Sequence, residues 1–252
     1  MEFSFATTFD LRGHVALVTG AASGIGKAIA TLFAERGATL ALVDRNPAID
    51  DTARALGDRH IAWVADVTDE RAAISGVADV AARLGRIDVL VNNAGVGGLA
   101  KAEETTAELW DMIMAVNLRG PFLYAREVGK QMLKQGGGRI INIASQAALV
   151  ALEGHLAYCA SKSGLLGLTR VLALEWGGRG ITVNAISPTV VETELGRISW
   201  AGEVGAAFKK KIPTGRFAQP EEIALAALFL ASGAAAMING ANLSVDGGYT
   251  IL

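Results

Sequence analysis

The chain has 252 residues, 51% of them hydrophobic, and a formal net charge of −2 at pH 7. This length allows one large α/β domain or two small ones, and the near-neutral charge argues against nucleic acid or an anionic membrane as the main partner. The single cysteine, Cys159, excludes an intrachain disulfide and indicates a reducing compartment. Residues 1–13 lack the pattern of a secretory signal, and the longest apolar runs, such as 223–231, are too short to cross a bilayer. We therefore expect a cytoplasmic protein without a membrane span.

Short apolar, β-branched runs alternate with longer amphipathic stretches along the chain. Strands are predicted over 14–19, 39–43, 61–65, 89–92, 139–144, 182–186 and 242–245, and helices over 25–36, 47–56, 70–84, 107–135, 157–177 and 220–232. Strands that are apolar throughout and separated by helices indicate an α/β fold with a parallel sheet covered on both faces. No linker or repeat divides the chain, so we expect a single domain over 1–252, in which residues 1–8 have no readable role.

The segment 187–215 interrupts this alternation because it is long and begins next to Pro188. In a compact domain such a segment is usually a functional flap. Trp200 lies within it, and two interpretations of this side chain stay open. It either closes a pocket and excludes water or packs against the flap's own helix.

A glycine-rich turn joins the first predicted strand to the first predicted helix. Glycines there permit a tight turn, close approach of the backbone to a phosphate, and close packing of helix on strand. The helix N-terminus then faces the pyrophosphate of a dinucleotide. The residues expected at the cofactor are Gly20, Ser23, Gly24, Ile25 and Gly26.

Asp44 stands at the end of the second predicted strand, where an acid that binds the adenosine ribose is expected. Its carboxylate would accept hydrogen bonds from the ribose hydroxyls and repel a 2′-phosphate, which favours NAD over NADP. Arg45 is the complication, since an arginine can pair with a 2′-phosphate. The alternative is that Asp44 is only a turn residue at the end of a strand.

Two further loops follow the third and fourth predicted strands. Asp66 and Val67 are candidates for the adenine end of the cofactor, although such an aspartate often only caps the next helix. Asn93, Ala94 and Gly95 belong to a run of small residues that would let the backbone lie against the adenosine. The same run could equally be a simple turn.

Tyr158 and Lys162 are four residues apart, so on a helix they share one face. An ammonium and an oxidised nicotinamide would both favour the phenolate, which makes Tyr158 a candidate general acid/base. Ser145, after the fifth strand, would donate to the substrate oxygen. Asn117, on the long fourth helix, could interrupt the backbone ladder and hold a water that connects Lys162 to solvent. Taken singly, these residues could be a solvated helix face, a cap and an exposed amide.

In type and order, the glycine turn 19–26, Asp66, the run 92–95, Asn117, Ser145, and Tyr158 with Lys162 resemble the short-chain dehydrogenase/reductase family. The resemblance covers residues 9–248. It implies a three-layer Rossmann-like fold with a seven-stranded sheet, Asn117, Ser145, Tyr158 and Lys162 as the catalytic set, and a homotetramer in which the helices near Tyr158 and over 220–232 contact a neighbour. A nicotinamide loop is implied over 186–193.

In that loop the resemblance assigns Pro188 and Thr189 to the cofactor, the Val191 backbone to the carboxamide, and Thr193 to the pyrophosphate region. The family usually has Pro-Gly where this chain has Pro188 followed by Thr189. Threonine is poorly suited to positive φ. A different local backbone is therefore expected, with the Thr189 side chain directed into the pocket.

Two segments, around 144–162 and 187–205, and the chain ending resemble the bacterial polyol dehydrogenase branch, which oxidises sugar alcohols of the threitol, arabitol or galactitol type to ketoses, usually with NAD. A polyol needs several polar partners in a small pocket. The expected substrate residues are Ser145, Gln146, Ala147, Glu153, His155, Tyr158, Thr189, Glu192 and Trp200. Glu153 and His155 are equally plausible as surface loop residues. No Cys, His, Asp and Glu cluster has catalytic metal spacing, and the resemblance to this branch leaves open a divalent ion near the C-terminus.

Three alternatives stay open at this point. A 3-oxoacyl-thioester reductase shares the catalytic set but typically uses NADPH, which Asp44 disfavours. A hydroxysteroid dehydrogenase would have a more apolar flap. A non-catalytic nucleotide-binding protein would often lack the tyrosine or the lysine, and both Tyr158 and Lys162 are present.

Overall fold

The computed structural model describes residues 8–251, and its centre is a seven-stranded sheet in which all neighbouring strands are parallel. The strands are β1 Val15–Thr19, β2 Thr39–Asp44, β3 Ile61–Val64, β4 Val89–Asn92, β5 Gly138–Ile143, β6 Ile181–Pro188 and β7 Asn242–Val245. Their order across the sheet is β3-β2-β1-β4-β5-β6-β7. The predicted fold class is confirmed, and of the stretch 1–8 only Thr8 lies within the described residues.

Nine α-helices are described between residues 8 and 251, and they cover both faces of this sheet. They are α1 Gly24–Glu35, α2 Ile49–Leu56, α3 Glu70–Leu84, α4 Ala107–Met114, α5 Gly120–Gln135, α6 Leu156–Gly177, α7 Glu194–Ser199, α8 Gly202–Lys209 and α9 Pro220–Ala231. Ile29 and Phe33 of α1 pack with Ile223 of α9 in one core. Val77 of α3 and Leu123 of α5 belong to the core on the other face. The result is the expected three-layer arrangement.

The five inner strands are buried over most of their length because helices cover both sides, whereas the edge strands β3 and β7 are partly exposed. All five residues of β1 are buried, and so are all eight residues of β6. This explains why the strands read as continuous apolar runs rather than alternating ones. Where the apolar pattern stops, local chemistry sets the boundaries: Asp69 caps the first turn of α3, and Gly85 ends that helix with φ of 79°.

The sheet reverses its winding direction at β1, which pairs with β2 on one side and with β4 on the other. Ligands of open α/β sheets bind at such a switch point, outside the carboxyl ends of the strands. Thr19, Asp44, Asn92 and Ile143 are the last residues of four neighbouring strands. The sheet therefore brings the motifs that follow these strands to one edge.

The structure departs from the predicted elements in two places. The single helix predicted over 107–135 consists of α4, a π-helical turn at Ala115–Arg119, and α5. An apolar periodicity does not distinguish one wider turn within a helix, so this feature could not be read from the pattern. The segment 187–215 contains the end of β6 and the short helices α7 and α8, which the irregular sequence did not reveal.

Candidate active site

A hydrogen-bonded clamp joins the glycine turn to the loop after β4. The Thr19 hydroxyl accepts from the backbone N–H groups of Asn93 at 3.1 Å and Ala94 at 3.2 Å. The Asn93 side-chain amide donates to the carbonyl oxygens of Thr19 at 3.0 Å and Gly20 at 2.9 Å. The Asn93 side chain thus fixes the shape of the turn.

Two of the turn's glycines are required by this close packing. A side chain at Gly20, whose φ is 67°, would lie 2.8 Å from the Ala94 Cα atom. A side chain at Gly26 would overlap the Gly20 carbonyl oxygen and lie 2.5 Å from the Asn93 amide nitrogen. Only glycine fits at these positions, since the clamp brings two loops into contact.

The first cavity, of about 500 Å³, opens in front of this turn. It is lined by Gly20, Ser23, Gly24, Ile25, Asp44, Arg45, Ala65, Asp66, Val67, Asn93, Ala94, Gly95, Val96, Val116, Thr193 and Glu194. Ser23 is the N-cap of α1 but makes no side-chain cap bond. The first amides of α1 therefore remain available to an anionic group at the positive end of the helix dipole.

Asp44 combines two roles at the far end of the first cavity. One carboxylate oxygen accepts from the Ala22 N–H at 3.0 Å and the other from the Asn46 N–H at 2.9 Å. A carboxylate has further lone pairs, so it can also accept from ribose hydroxyls. Arg45 lines the same cavity, and it forms no ion pair within residues 8–251.

Asp66 closes a local turn and also lines the first cavity. One of its oxygens accepts from the N–H and from the hydroxyl of Thr68, both at 2.8 Å. The second oxygen remains for a ligand. The alternative that Asp66 caps the next helix is wrong, because Asp69 is the N-cap of α3 and Asp66 closes only the turn to Thr68. The adenine contact of Asp66 stays a prediction.

The second cavity, of about 330 Å³, is continuous with the first because both are lined by Ile25, Asn93, Gly95, Val96 and Thr193. Its other lining residues are Gly97, Ile143, Ala144, Ser145, Gln146, Leu152, His155, Tyr158, Lys162, Pro188, Thr189, Val190, Val191, Gly196 and Trp200. Three of the four predicted catalytic side chains, and most of the predicted substrate residues, thus surround one space.

Tyr158 and Lys162 lie on one face of α6 as their spacing predicts. The Lys162 Nζ atom lies 5.7 Å from the centroid of the Tyr158 ring and donates to the Ile143 carbonyl oxygen at 2.8 Å. The Ser145 hydroxyl favours the ionised form of the Tyr158 phenol, and its oxygen accepts from the Ala147 N–H at 3.1 Å. Ser145 therefore connects the phenol to the end of β5.

Burial has the largest effect on the ionisation of both groups. It raises the pKa of Tyr158, against the opposing effect of the Ser145 hydrogen bond. It lowers the pKa of Lys162 from 10.5 to about 8. Loss of hydration is thus the largest effect on the pKa of Tyr158 and on that of Lys162.

Asn117 lies inside the π-helical turn and is fully buried. Its side chain accepts from the Val96 N–H at 2.8 Å and donates to the Val96 carbonyl oxygen at 2.9 Å and to the Ser161 hydroxyl at 3.2 Å. The backbone ladder is interrupted at this residue. Asn117 does not line either cavity, so its contact with a water near Lys162 stays a prediction.

The loop after β6 lines both cavities. Thr189 does not have positive φ, so the replacement of glycine is accommodated without strain. Its side chain lines the second cavity, and its buried hydroxyl has no hydrogen-bond partner within residues 8–251. Thr193 caps α7 by accepting from the Gly196 N–H at 3.0 Å, and the Val191 carbonyl oxygen accepts from the Thr193 N–H at 2.7 Å.

The predicted substrate residues divide into two groups. Gln146, His155, Thr189 and Trp200 line the second cavity. Ala147, Glu153 and Glu192 do not: Ala147 is buried behind Ser145, Glu153 is exposed, and Glu192 forms an ion pair with Lys209 at 2.9 Å.

Several lining residues were missed, among them Val96, Leu152 and Val190. Apolar residues in loops carry no chemical signal in a single sequence, so only the folded structure identifies them.

Two other features are absent from the described part of the chain. Between residues 8 and 251, no helix is long and apolar enough to cross a membrane. Within the same residues, no group of three or more His, Cys, Asp and Glu side chains is arranged to hold a metal ion.

Comparison with known proteins identifies the family. A family model described as enoyl-(acyl carrier protein) reductase matches residues 20–250. D-threitol dehydrogenase of Mycolicibacterium smegmatis is 59% identical over 99% of this chain and 98% of its own, and NAD-dependent glycerol dehydrogenase of Listeria innocua is 50% identical over 98% of both.

The fold has a close counterpart among solved structures. The structure of a putative NAD(P) dependent gluconate 5-dehydrogenase from Beutenbergia cavernae, which has bound NADP at low occupancy, superposes with a TM-score of 0.93 at 41% identity. The match covers 97% of this chain and 100% of the other. The chain therefore belongs to the short-chain dehydrogenase/reductase family and is an oxidoreductase that acts on CH–OH groups with a nicotinamide cofactor.

Proposed function

We propose that this enzyme oxidises a secondary hydroxyl of a sugar alcohol to the corresponding ketose with NAD, and catalyses the reverse reduction. The observation that carries the proposal is the convergence of Ser145, Tyr158 and Lys162 on a cavity continuous with the one that ends at Asp44. Polyols of the threitol, arabitol or galactitol type are the proposed substrates. D-threitol dehydrogenase and glycerol dehydrogenase as relatives support this class.

The residues fit a nicotinamide dinucleotide, since the glycine turn, the free amides of α1 and Asp44 all border the first cavity. When bound, the oxidised cofactor supplies a hydride acceptor and a positive charge. In the oxidation, the Ser145 hydroxyl donates to the substrate oxygen and holds it against Tyr158. The phenolate of Tyr158 accepts the proton of the substrate hydroxyl.

Lys162 and Asn117 act on the same proton transfer. The ammonium of Lys162, beside the Tyr158 ring, stabilises the phenolate. Asn117 holds the loop at Val96 that borders both cavities, and a water beside it connects Lys162 to solvent in our proposal. Reduction reverses the proton transfer, with Tyr158 as the acid.

The preference for NAD rests on Asp44. A carboxylate at this end of the first cavity suits a ribose with both hydroxyls free and opposes a 2′-phosphate. Arg45 is the group that could admit NADP, and the related Beutenbergia cavernae structure has bound NADP. The Listeria innocua relative is NAD-dependent.

His155 supports a substrate with several hydroxyls. Its Nδ1 atom lies 2.8 Å from the Glu153 carbonyl oxygen. A carbonyl oxygen only accepts, so Nδ1 carries the hydrogen and the Nε2 atom of the neutral ring is an acceptor. His155 lines the second cavity with its ring centroid 6.2 Å from that of Tyr158. Such an acceptor favours a second hydroxyl next to the one that reacts.

We also propose a cytoplasmic homotetramer. Leu174 on α6 is 84% exposed and Leu225 on α9 is 55% exposed, so apolar surface remains on the two helices assigned to subunit contacts. Light scattering on the purified protein should give a mass about four times that of the 26.1 kDa chain. A mass equal to that of one chain would contradict the proposed assembly.

Initial rates with NAD and with NADP across polyols of four to six carbons test the function. We expect NAD-dependent turnover of at least one polyol, with an oxidation rate that rises with pH as Tyr158 loses its proton. A 3-hydroxyacyl thioester and a hydroxysteroid serve as control substrates, and turnover of the thioester alone would contradict the polyol proposal. Tyr158→Phe is the control variant: turnover should be lost while NAD binding, followed by fluorescence, is retained.

His155→Leu tests the selection of a second hydroxyl. Loss of one hydrogen bond predicts a drop in kcat/KM for the polyol of about three- to tenfold. A secondary alcohol with one hydroxyl should react as it does with the unmodified enzyme. His155→Gln, which keeps an acceptor, should recover most of the lost kcat/KM. Equal losses for both substrates would show that His155 acts on the fold rather than on the second hydroxyl.

Asp44→Asn tests the cofactor preference, because it removes the charge and keeps an acceptor for the Ala22 N–H. The ratio of kcat/KM with NAD to that with NADP should fall by about tenfold or more, as the repulsion of the 2′-phosphate is removed. Asp44→Ala should shift the ratio in the same direction and also weaken NAD, since it releases the glycine turn. An unchanged ratio in both variants would mean that Asp44 does not bind the ribose.

A further inference from the structure

Four aromatic side chains, two of them from the flap, form one cluster: Trp200, Phe208, Phe217 and Tyr249. Phe208 lies at its centre, with ring centroids 4.6 Å from Trp200, 6.2 Å from Phe217 and 5.1 Å from Tyr249. The Tyr249 ring is stacked on Phe208 with an interplanar angle of 19°. Phe208 and Phe217 are buried. We refer to these four side chains as the aromatic cluster.

Trp200 connects the aromatic cluster to the chemistry because it also lines the second cavity. Its main chain is fixed to α8: a side chain at Gly205 would overlap the Trp200 carbonyl oxygen. Trp200 and α8 are thus packed as one unit. The position of α8 decides how far the Trp200 ring reaches into the cavity that holds Ser145 and Tyr158.

The chain end supplies the wall on which α8 rests. The buried carboxylate of Asp246 accepts from the Gly248 N–H at 3.0 Å, the Thr250 N–H at 3.0 Å and the Thr250 hydroxyl at 2.6 Å. The Thr214 N–H, a few residues after α8, donates to the Gly247 carbonyl oxygen at 3.2 Å. The hydrogen bonds to Asp246 therefore stabilise the turn that carries Tyr249, and the bond between Thr214 and Gly247 attaches this turn to the end of the flap.

A second set of contacts holds the other side of α8. Lys209 pairs with Glu192 at 2.9 Å, and its Nζ atom lies 4.5 Å from the centroid of the Phe217 ring. The ion pair is partly exposed, so it contributes little to stability. The stacked Tyr249 ring is an apolar contact of α8, made through Phe208.

We propose that Tyr249 is a positioning residue for the substrate: through Phe208 it sets the depth of Trp200 in the second cavity. Tyr249 lines neither cavity, so it acts on the substrate side without touching substrate or cofactor. The kinetic part of this inference rests on the proposed polyol oxidation. The position of Trp200 itself can be measured without any substrate.

Tyr249→Ala tests the proposal by kinetics. Loss of one aromatic pair predicts a rise in the KM of the polyol of about three- to tenfold, with the KM of NAD unchanged. Tyr249→Phe keeps the stacked ring and should restore the original KM. Ile251→Ala changes an exposed residue of the same turn and should have no effect. In a Trp200→Phe background, Tyr249→Ala should add no further change to KM beyond that of Trp200→Phe.

The fluorescence of Trp200 is obtained as the difference between the protein and its Trp200→Phe variant. Quenching of this difference signal by acrylamide measures how exposed the Trp200 ring is. We expect this difference signal to be quenched more strongly after Tyr249→Ala. If Tyr249→Ala does not fold, Tyr249→Leu, which keeps apolar volume without a ring, takes its place in both measurements. Unchanged quenching of Trp200 overturns the inference, and so does an equal rise in the KM of NAD. Changed quenching in a protein that oxidises no polyol would contradict the proposed function and support the positioning of Trp200.

Discussion

Burial of the Lys162 ammonium is the constraint on which the active site depends. A pKa lowered from 10.5 to about 8 corresponds to about 3 kcal/mol against folding with a charged lysine. The unfolded chain holds its proton more tightly, so this unfavourable contribution is complete below pH 8 and disappears as the pH rises above 10.5. The Ile143 carbonyl oxygen compensates part of it by accepting a hydrogen bond. The remaining unfavourable free energy lowers the stability of the fold and is the consequence of placing a charge beside Tyr158.

The loop after β4 ties that charge to the cofactor side of the molecule. At one end Asn93 holds the glycine turn, and at the other Val96 exchanges two hydrogen bonds with Asn117. A side chain at Gly95, between them, would lie 3.6 Å from the Lys162 Nζ atom. Displacement of this loop would therefore disturb the dinucleotide turn and the surroundings of Lys162 together. Because this loop lines both cavities, they form one site.

The sequence predicted the sheet and most of the site because those features have local signals. Continuous apolar runs indicated the strands, and the spacing of Tyr158 and Lys162 indicated a common helix face. The signals fail where the decisive contact is distant in sequence. The role of Asn93 depends on the Thr19 and Gly20 carbonyl groups, and the exclusion of Glu192 from the pocket depends on Lys209 in another helix. The burial that raises the pKa of Tyr158 has no signature in residue spacing, so it could not be read from the sequence.

The π-helical turn at Ala115–Arg119 has a consequence for insertions and deletions in this chain. A π turn contains one residue more than an α turn, so removing one residue there would let α4 and α5 join in a regular hydrogen-bond ladder. Because the wider turn absorbs its extra residue, the same deletion would leave the directions of α4 and α5 nearly unchanged and would mainly alter the directions of the side chains within the turn. Asn117 would then leave the Val96 loop and the Ser161 hydroxyl. The irregular turn therefore holds Asn117 against the Val96 loop, a contact that a regular helix would lose.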